Sequence, residues 1–188
     1  MPLSLLRLVL GLLIAGQVAL AIALWPELPE RIPLHFDAAG WPDGFGAPDV
    51  EWFVIPGLLA LFGAGCGYGL PLLARHLART NSGLLNVPDR ERFRALPEEA
   101  RVRAVAPLGP WLCAIACELQ LLTAFLVDGT WRIATGRWQR LPPALLYGLL
   151  AVVLATAIGL AVANARAVRR ECAAAAVTAR AGGRGTPR

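Results

Sequence analysis

Four long apolar blocks limit this chain to few architectures: Leu3 to Trp25, Trp52 to Ala74, Leu108 to Val127 and Ala144 to Ala165. Each holds about 20 residues, the length an α-helix needs to cross the hydrocarbon core of a bilayer. The apolar residues run on continuously, without the helical or strand spacing of a half-buried soluble element, so lipid is the solvent they imply. Composition agrees: hydrophobic residues make up 56% and charged residues 16% of the 188 positions, with a mean hydropathy of +0.55. Soluble domains carry about 25% charged residues. The expected fold is an all-α integral membrane protein. Residues 1–170 form the membrane domain, with four transmembrane helices (3–25, 52–74, 108–127 and 144–165) and a short ordered extracytoplasmic loop between the first two. Residues 171–188, small and polar towards the end, are expected to be a disordered cytoplasmic tail.

Arginine distribution orients the spans. All 18 basic residues are Arg. Seven lie from Arg75 to Arg103, six follow the fourth block and Arg7 stands at the edge of the first. Pro26–Glu51 has only Arg31 against six carboxylates, and Asp128–Pro143 has Arg132, Arg137 and Arg140. Fourteen arginines against four place both termini and the central segment in the cytoplasm. Arginines grouped beside apolar blocks do not form a nucleic-acid surface, so the bilayer, not nucleic acid, is their expected partner. Trp25, Trp52, Trp131 and Trp138 then fall at or near the outer interface, where tryptophan anchors helices. A secretory signal is the competing reading of the first block, with Ala21-Ile22-Ala23 as its cleavage site. The block is long for a signal and ends in Trp25, which favours a retained helix.

Within the spans, Gly63/Gly67 and Gly65/Gly69 form two small-xxx-small pairs that serve either packing inside the bundle or a dimer contact. Pro56 and Pro71 mark the ends of the second span and are places to kink it. Glu118 lies near the middle of the third span, where a charge costs at least ~2.5 kcal/mol. Gln17 and Thr156 lie at similar depth in the first and fourth. The three form one expected polar layer: either an ion or proton site around Glu118, or a Glu118–Gln17 hydrogen bond that fixes helix register. Cys113 and Cys117 are one turn apart without a nearby His, so small apolar packing is expected rather than a metal site. With no Cys in a segment assigned to the outside, no disulfide framework is expected.

Two prolines organise the central segment. Pro88 precedes Asp89 and Glu91, and Pro97 precedes Glu98 and Glu99. Acidic residues in a first turn suit the helix dipole, which predicts a short helix after each proline. Phe93 and Leu96 are expected to rest on the bilayer while the arginines meet anionic headgroups or a cytoplasmic partner.

The outer segment Leu28-Pro29-Glu30-Arg31-Ile32-Pro33-Leu34-His35-Phe36-Asp37-Ala38-Ala39-Gly40-Trp41-Pro42-Asp43-Gly44 is the most distinctive. Pro29 and Pro33 oppose helix, Ile32–Phe36 reads as extended, and Asp37–Gly40 reads as a turn with Gly40 free to take positive φ. Asp43-Gly44 is a second turn signal. His35 near Asp37 and Asp43 is either a metal ligand or half of a hydrogen bond closing the loop. One His and two Asp make a thin ligand set, which favours the bond.

Leu28, Pro29, Ile32, Pro33, His35, Phe36, Gly40 and Asp43 match the pattern L-P-x-x-I-P-x-H-F-x-x-x-G-x-x-D. The chain thereby resembles the bacterial membrane family called domain of unknown function 1648, a domain also found in membrane immunity proteins of the sporulation-delaying-toxin type. Asn86-x-Pro88 and Phe93-x-x-Leu96-Pro97 look similar to that family's cytoplasmic loop. The resemblance implies a multi-pass protein of the bacterial cytoplasmic membrane and singles out Pro29, Pro33, His35, Phe36, Gly40 and Asp43. It implies no activity. No catalytic, phosphate-binding or cofactor pattern is present. The expected function is non-enzymatic: recognition or sensing of a membrane or extracytoplasmic protein partner through residues 26–51, immunity-like or signalling. A small transporter or ion pathway around Glu118 is the alternative.

Overall fold

In the computed structural model, which describes residues 2–182, the first apolar block forms α1 (Leu3–Leu24), followed by a single 3₁₀ turn, Trp25–Glu27. The outer segment folds into a two-stranded antiparallel hairpin, β1 (Ile32–Phe36) and β2 (Pro42–Gly46). The second block is one helical run from Glu51 to Arg79. Within it, α2 (Glu51–Ala64) passes through a π-helical turn, Gly65–Gly69, into α3 (Leu70–Arg79). Two short helices follow, α4 (Arg90–Arg94) and α5 (Glu98–Val105), then α6 (Leu108–Ala134) and α7 (Pro143–Gly182). Four of these helical runs are long and apolar enough to cross a membrane. The chain is a multi-pass membrane protein with a small hairpin at one end and its arginine-rich segments at the other.

α6 is the central helix, packed against α1, α2 and α7. Apolar contact between helices gains little over contact with lipid, so close approach and hydrogen bonds must hold such a bundle. Gly63 and Gly67 face inward: a Cβ on Gly63 would overlap the Gln120 amide, and one on Gly67 would overlap Leu10. This pair therefore serves packing inside the bundle. Gly65 and Gly69 point away, with nothing within 4 Å. Pro71 explains the π turn between them. It has no N–H to give the Gly67 carbonyl one turn back, and the Arg7 guanidinium supplies a donor instead, Nε to O 3.3 Å. Pro56 lies inside α2 rather than at a span end.

Three further expectations change. α6 runs to Ala134, so residues 128–134 are helix and the second connection shrinks to 135–142. Asp128 and Arg132, one turn apart and 2.5 Å from each other, and the buried Trp131 hold that last stretch. Gly136 at φ +74° closes it. Trp52 and Trp131 are not exposed interfacial anchors. Both are buried with Ala21, Ile32 and Val127, and Trp52 Nε1 donates to the Ala21 carbonyl at 2.9 Å. The tail expected to be disordered from residue 171 is helical to Gly182, because Val168 and Cys172 pack on α4 and α5 and the alanines that follow favour helix. The rest of that tail lies outside the described residues.

The arginine-rich end has its own small core of Ala78, Val87, Phe93, Leu96, Ala104 and Val168. Phe93 and Leu96 are buried in it, not laid on the bilayer, because α4 and α5 fold back between α3 and α7. The buried Arg101 joins them: its guanidinium donates to the carbonyls of Ala78 (2.7 Å), Leu96 (2.5 Å) and Arg79 (3.1 Å). Two of those carbonyls belong to the last turn of α3, where a helix leaves its acceptors unpaired.

Candidate site on the hairpin face

The hairpin is built around its tip. Asp37 Oδ1 accepts from the amides of Ala39 and Trp41, both at 2.8 Å, and the Gly40 amide donates to the Asp37 carbonyl at 3.0 Å. Gly40 takes φ +81°, where a side chain is disfavoured. Position 40 is closed sterically as well. A Cβ there would overlap the Leu141 carbonyl oxygen and lie 3.2 Å from its carbon. The Leu141 amide donates back to the Gly40 carbonyl at 2.9 Å, and Tyr147 Oη donates to the Ala38 carbonyl at 2.7 Å. The tip is thus fastened to the 135–142 connection and to the start of α7.

Asp43-Gly44 is not a second turn; it lies in β2. His35 stands opposite Gly44, with pairing irregular on both sides of it. A Cβ at Gly44 would be 3.0 Å from the His35 Cβ, so the missing side chain admits the histidine. His35 Nδ1 is 2.5 Å from Asp43 Oδ1, so the cross-loop bond is formed, although both side chains are largely exposed (74% and 47%). Asp37 is occupied by its own turn, so the three residues do not converge as a ligand set.

The motif residues separate by role. Pro33 and Gly40 are buried and Phe36 is half-buried, forming the framework; Pro29, His35 and Asp43 are exposed. Around them the four arginines of this end stack on aromatic rings. Arg31 lies over Phe45 (5.9 Å), Arg140 over Trp41 (5.4 Å), Arg137 over Trp131 (4.0 Å) and Arg132 over Trp138 (4.9 Å). Trp41 and Phe45 keep about half their surface exposed. Leu141 and Tyr147 escaped the sequence reading, and Arg140 entered it only as a charge that orients the spans. Tyr147 is submerged in an apolar block, and a contact across more than a hundred residues leaves no local signal.

The intramembrane trio divides. Thr156 Oγ1 donates to Glu118 Oε1 at 2.7 Å, joining α6 to α7, while the other Glu118 oxygen is buried without a partner. Gln17 does not reach Glu118. Its amide donates to the Pro56 carbonyl at 3.1 Å on α2. Gln120 makes the parallel bond from α6, to the Leu59 carbonyl at 2.9 Å. These are three separate side-chain bonds between helices, not one layer. Cys113 is fully buried beside Leu10, Cys66 and Ala116 in the packing role expected of it.

Residues 12–60 match the model of the family described as Domain of unknown function (DUF1648). The matched stretch comprises the second half of α1, the whole hairpin and most of α2, and it excludes the Asn86–Pro97 run. Neither a curated protein nor a solved structure matches the chain.

Proposed function

We propose that this protein is a non-enzymatic component of the bacterial cytoplasmic membrane, with both termini inside, that recognises a protein partner on the outer side through its hairpin. Its orientation follows from where the arginines gather in space. Arg31, Arg132, Arg137 and Arg140 share the hairpin end, while Arg75, Arg79, Arg90, Arg92, Arg94, Arg101, Arg103 and those of α7 share the other. Cytoplasmic enrichment of Arg assigns the second group to the inside. Single cysteines replacing Ala39 and Gln139, in a background without the native ones, should react with an impermeant maleimide in intact cells; one replacing Ala95 should not. The opposite pattern would invert the assignment.

One observation carries recognition: the hairpin tip is locked to a second connection at Gly40–Leu141, so Trp41, Phe45 and His35 are presented on a fixed surface. Fixing a surface before contact lowers the entropy cost of binding. Glu118, whose one bonded oxygen joins α6 to α7, fits a packing role better than a transport path. A photo-crosslinking residue at 41 or 45 should give one discrete adduct in native membranes, and Gly40→Val should abolish it. The same residue at position 84, exposed at the other end, should give none. An adduct of twice the chain mass would make the partner a second copy. Absence of any adduct at 41 and 45, or one indifferent to Gly40→Val, would end the proposal.

A further inference from the structure

Beneath β1, between α2 and α6, lies a cavity of about 170 Å³. Ile32, Leu34, Ile55, Leu59, Leu126 and Val127 supply most of its apolar lining. A dry apolar cavity of ~150 Å³ suffices to hold a small hydrocarbon. Leu34 and Ile55 are exposed, so the space opens sideways at the flank of the bundle. From Glu51 to Leu59 it follows α2 for about 12 Å, at 1.5 Å per residue. Its wall is not an ordinary lipid-facing surface, because one end is chemically distinct. Glu51 is the sole charged residue in the lining, and it stands at the hairpin end. Among the described residues no cation pairs with it, as with Glu30, Asp37 and Asp49 of the same end, and of these four it alone lines the cavity. Pro56, also in the lining, removes the amide that would bond the Trp52 carbonyl one turn above, leaving an acceptor at the same end. At the deep end the hydroxyl of Thr123 already donates to the Leu119 carbonyl at 2.8 Å, so that donor is not free to draw a polar group there.

We propose that this cavity binds a single-chain amphiphile with a cationic head. The chain lies along α2 from Leu59 upward, and an ammonium group meets the Glu51 carboxylate at the membrane surface. The site lies on the flank under β1, apart from the exposed hairpin face, and holds whether or not that face takes a protein.

Trp52 lines the cavity, so a brominated chain in the site quenches its fluorescence. The protein in phosphatidylcholine nanodiscs is titrated with dodecylamine, dodecanol and dodecanoate, each brominated a few carbons from its head, where Trp52 stands, and each expressed as mole fraction in the bilayer. The amine is expected to quench saturably and at roughly fivefold lower mole fraction than the alcohol, the scale of one exposed ion pair. Trp52→Phe should remove the saturable component. Glu51→Gln, at an exposed position, should leave folding intact and bring the amine to the level of the alcohol. Leu59→Phe, which fills the deep end, should weaken all saturable quenching. Quenching proportional to mole fraction and equal for the three heads would mean ordinary lipid contact and overturn the site. Saturable quenching unaffected by Glu51→Gln would overturn the cationic head.

Discussion

Replacing Gly40 by alanine should undo the fastening of the hairpin tip, and the cost can be worked from its two parts. Holding a non-glycine residue at φ +81° costs ~1–2 kcal/mol. The added Cβ also overlaps the Leu141 carbonyl oxygen. Two backbones cannot yield there without breaking the 2.9 Å bond from the Leu141 amide to the Gly40 carbonyl, a loss of ~1 kcal/mol. Together the tip loses ~2–3 kcal/mol of docking, or about 30- to 150-fold in its open population. Gly136 is the internal control: it has φ +74° but nothing within 4 Å of its would-be Cβ. Gly136→Ala meets only the conformational part and should open the connection about 5- to 30-fold, below the effect of Gly40→Ala. Hydrogen exchange at the Leu141 amide reads the opening directly, and tryptic cleavage after Arg140 in right-side-out membranes reads it independently. Equal exchange in wild type and Gly40→Ala, or equal effects of the two alanines, would refute the fastening.

His35→Ala should be mild by comparison. Its bond to Asp43 is largely exposed, so loss of ~0.2–1 kcal/mol should raise tryptic cleavage after Arg31 by less than about fivefold. Glu118→Ala and Thr156→Val should show a coupling of ~0.6 kcal/mol, up to ~1.7, in a double-mutant cycle of unfolding in mixed micelles; strictly additive effects would mean the 2.7 Å bond contributes nothing. Arg101→Ala strips three carbonyls of a buried donor and should destabilise the arginine-rich end by ~2–4 kcal/mol, exposing Arg90–Arg94 to trypsin in inverted membranes, with Arg101→Lys unable to restore the fork of bonds. Burial, with Asp89 nearby adding to it, raises the Cys172 thiol above its ordinary range. At a given pH it therefore carries less thiolate, and it should alkylate more slowly at pH 8 than an exposed cysteine placed at Ala95.

What was legible in the sequence follows the range of the interaction. The four spans are written in local apolar length, and the helices after Pro88 and Pro97 in local turn chemistry. The turn at Asp37–Gly40 was legible because an Asx residue and a glycine specify it among themselves. What failed depended on distant partners. Phe93 and Leu96 read as a membrane-facing pair because nothing local shows that α7 continues past the bilayer to bury them. Asp43-Gly44 reads as a turn, and becomes strand because His35 needs the space above a glycine. Gln17 and Glu118 lie at similar depth, but depth does not fix azimuth: Gln17 faces α2 and Glu118 faces α7. The reason for Gly40 was half legible, since positive φ is a local property and contact with Leu141 is not.

α7 shows how little apolar packing contributes to this architecture. Its stretch 143–167 has no buried residue, and lipid is as good a neighbour for its leucines as another helix. Its position is set by a few points instead. Tyr147 bonds the hairpin tip, Thr156 bonds Glu118, and Gly159 admits the Trp111 ring, which a Cβ would overlap. Farther on, Glu171 meets Arg103 at 3.0 Å, an ion pair that holds the Arg103 guanidinium protonated above its usual range. These points lie at successive depths along one helix that touches the hairpin at one end and the arginine-rich core at the other. A side chain at Gly159 therefore tests the arrangement more sharply than any change to an apolar face. Gly159→Leu should push α7 from α6, break the Thr156–Glu118 bond and release the Tyr147 contact, so that Leu141 exchange rises although position 159 lies twelve residues, about 18 Å of helix, from Tyr147. Leu154→Ala, on an exposed face, should change nothing. If Gly159→Leu left Leu141 exchange at the wild-type rate, α7 would be held by its apolar surface after all.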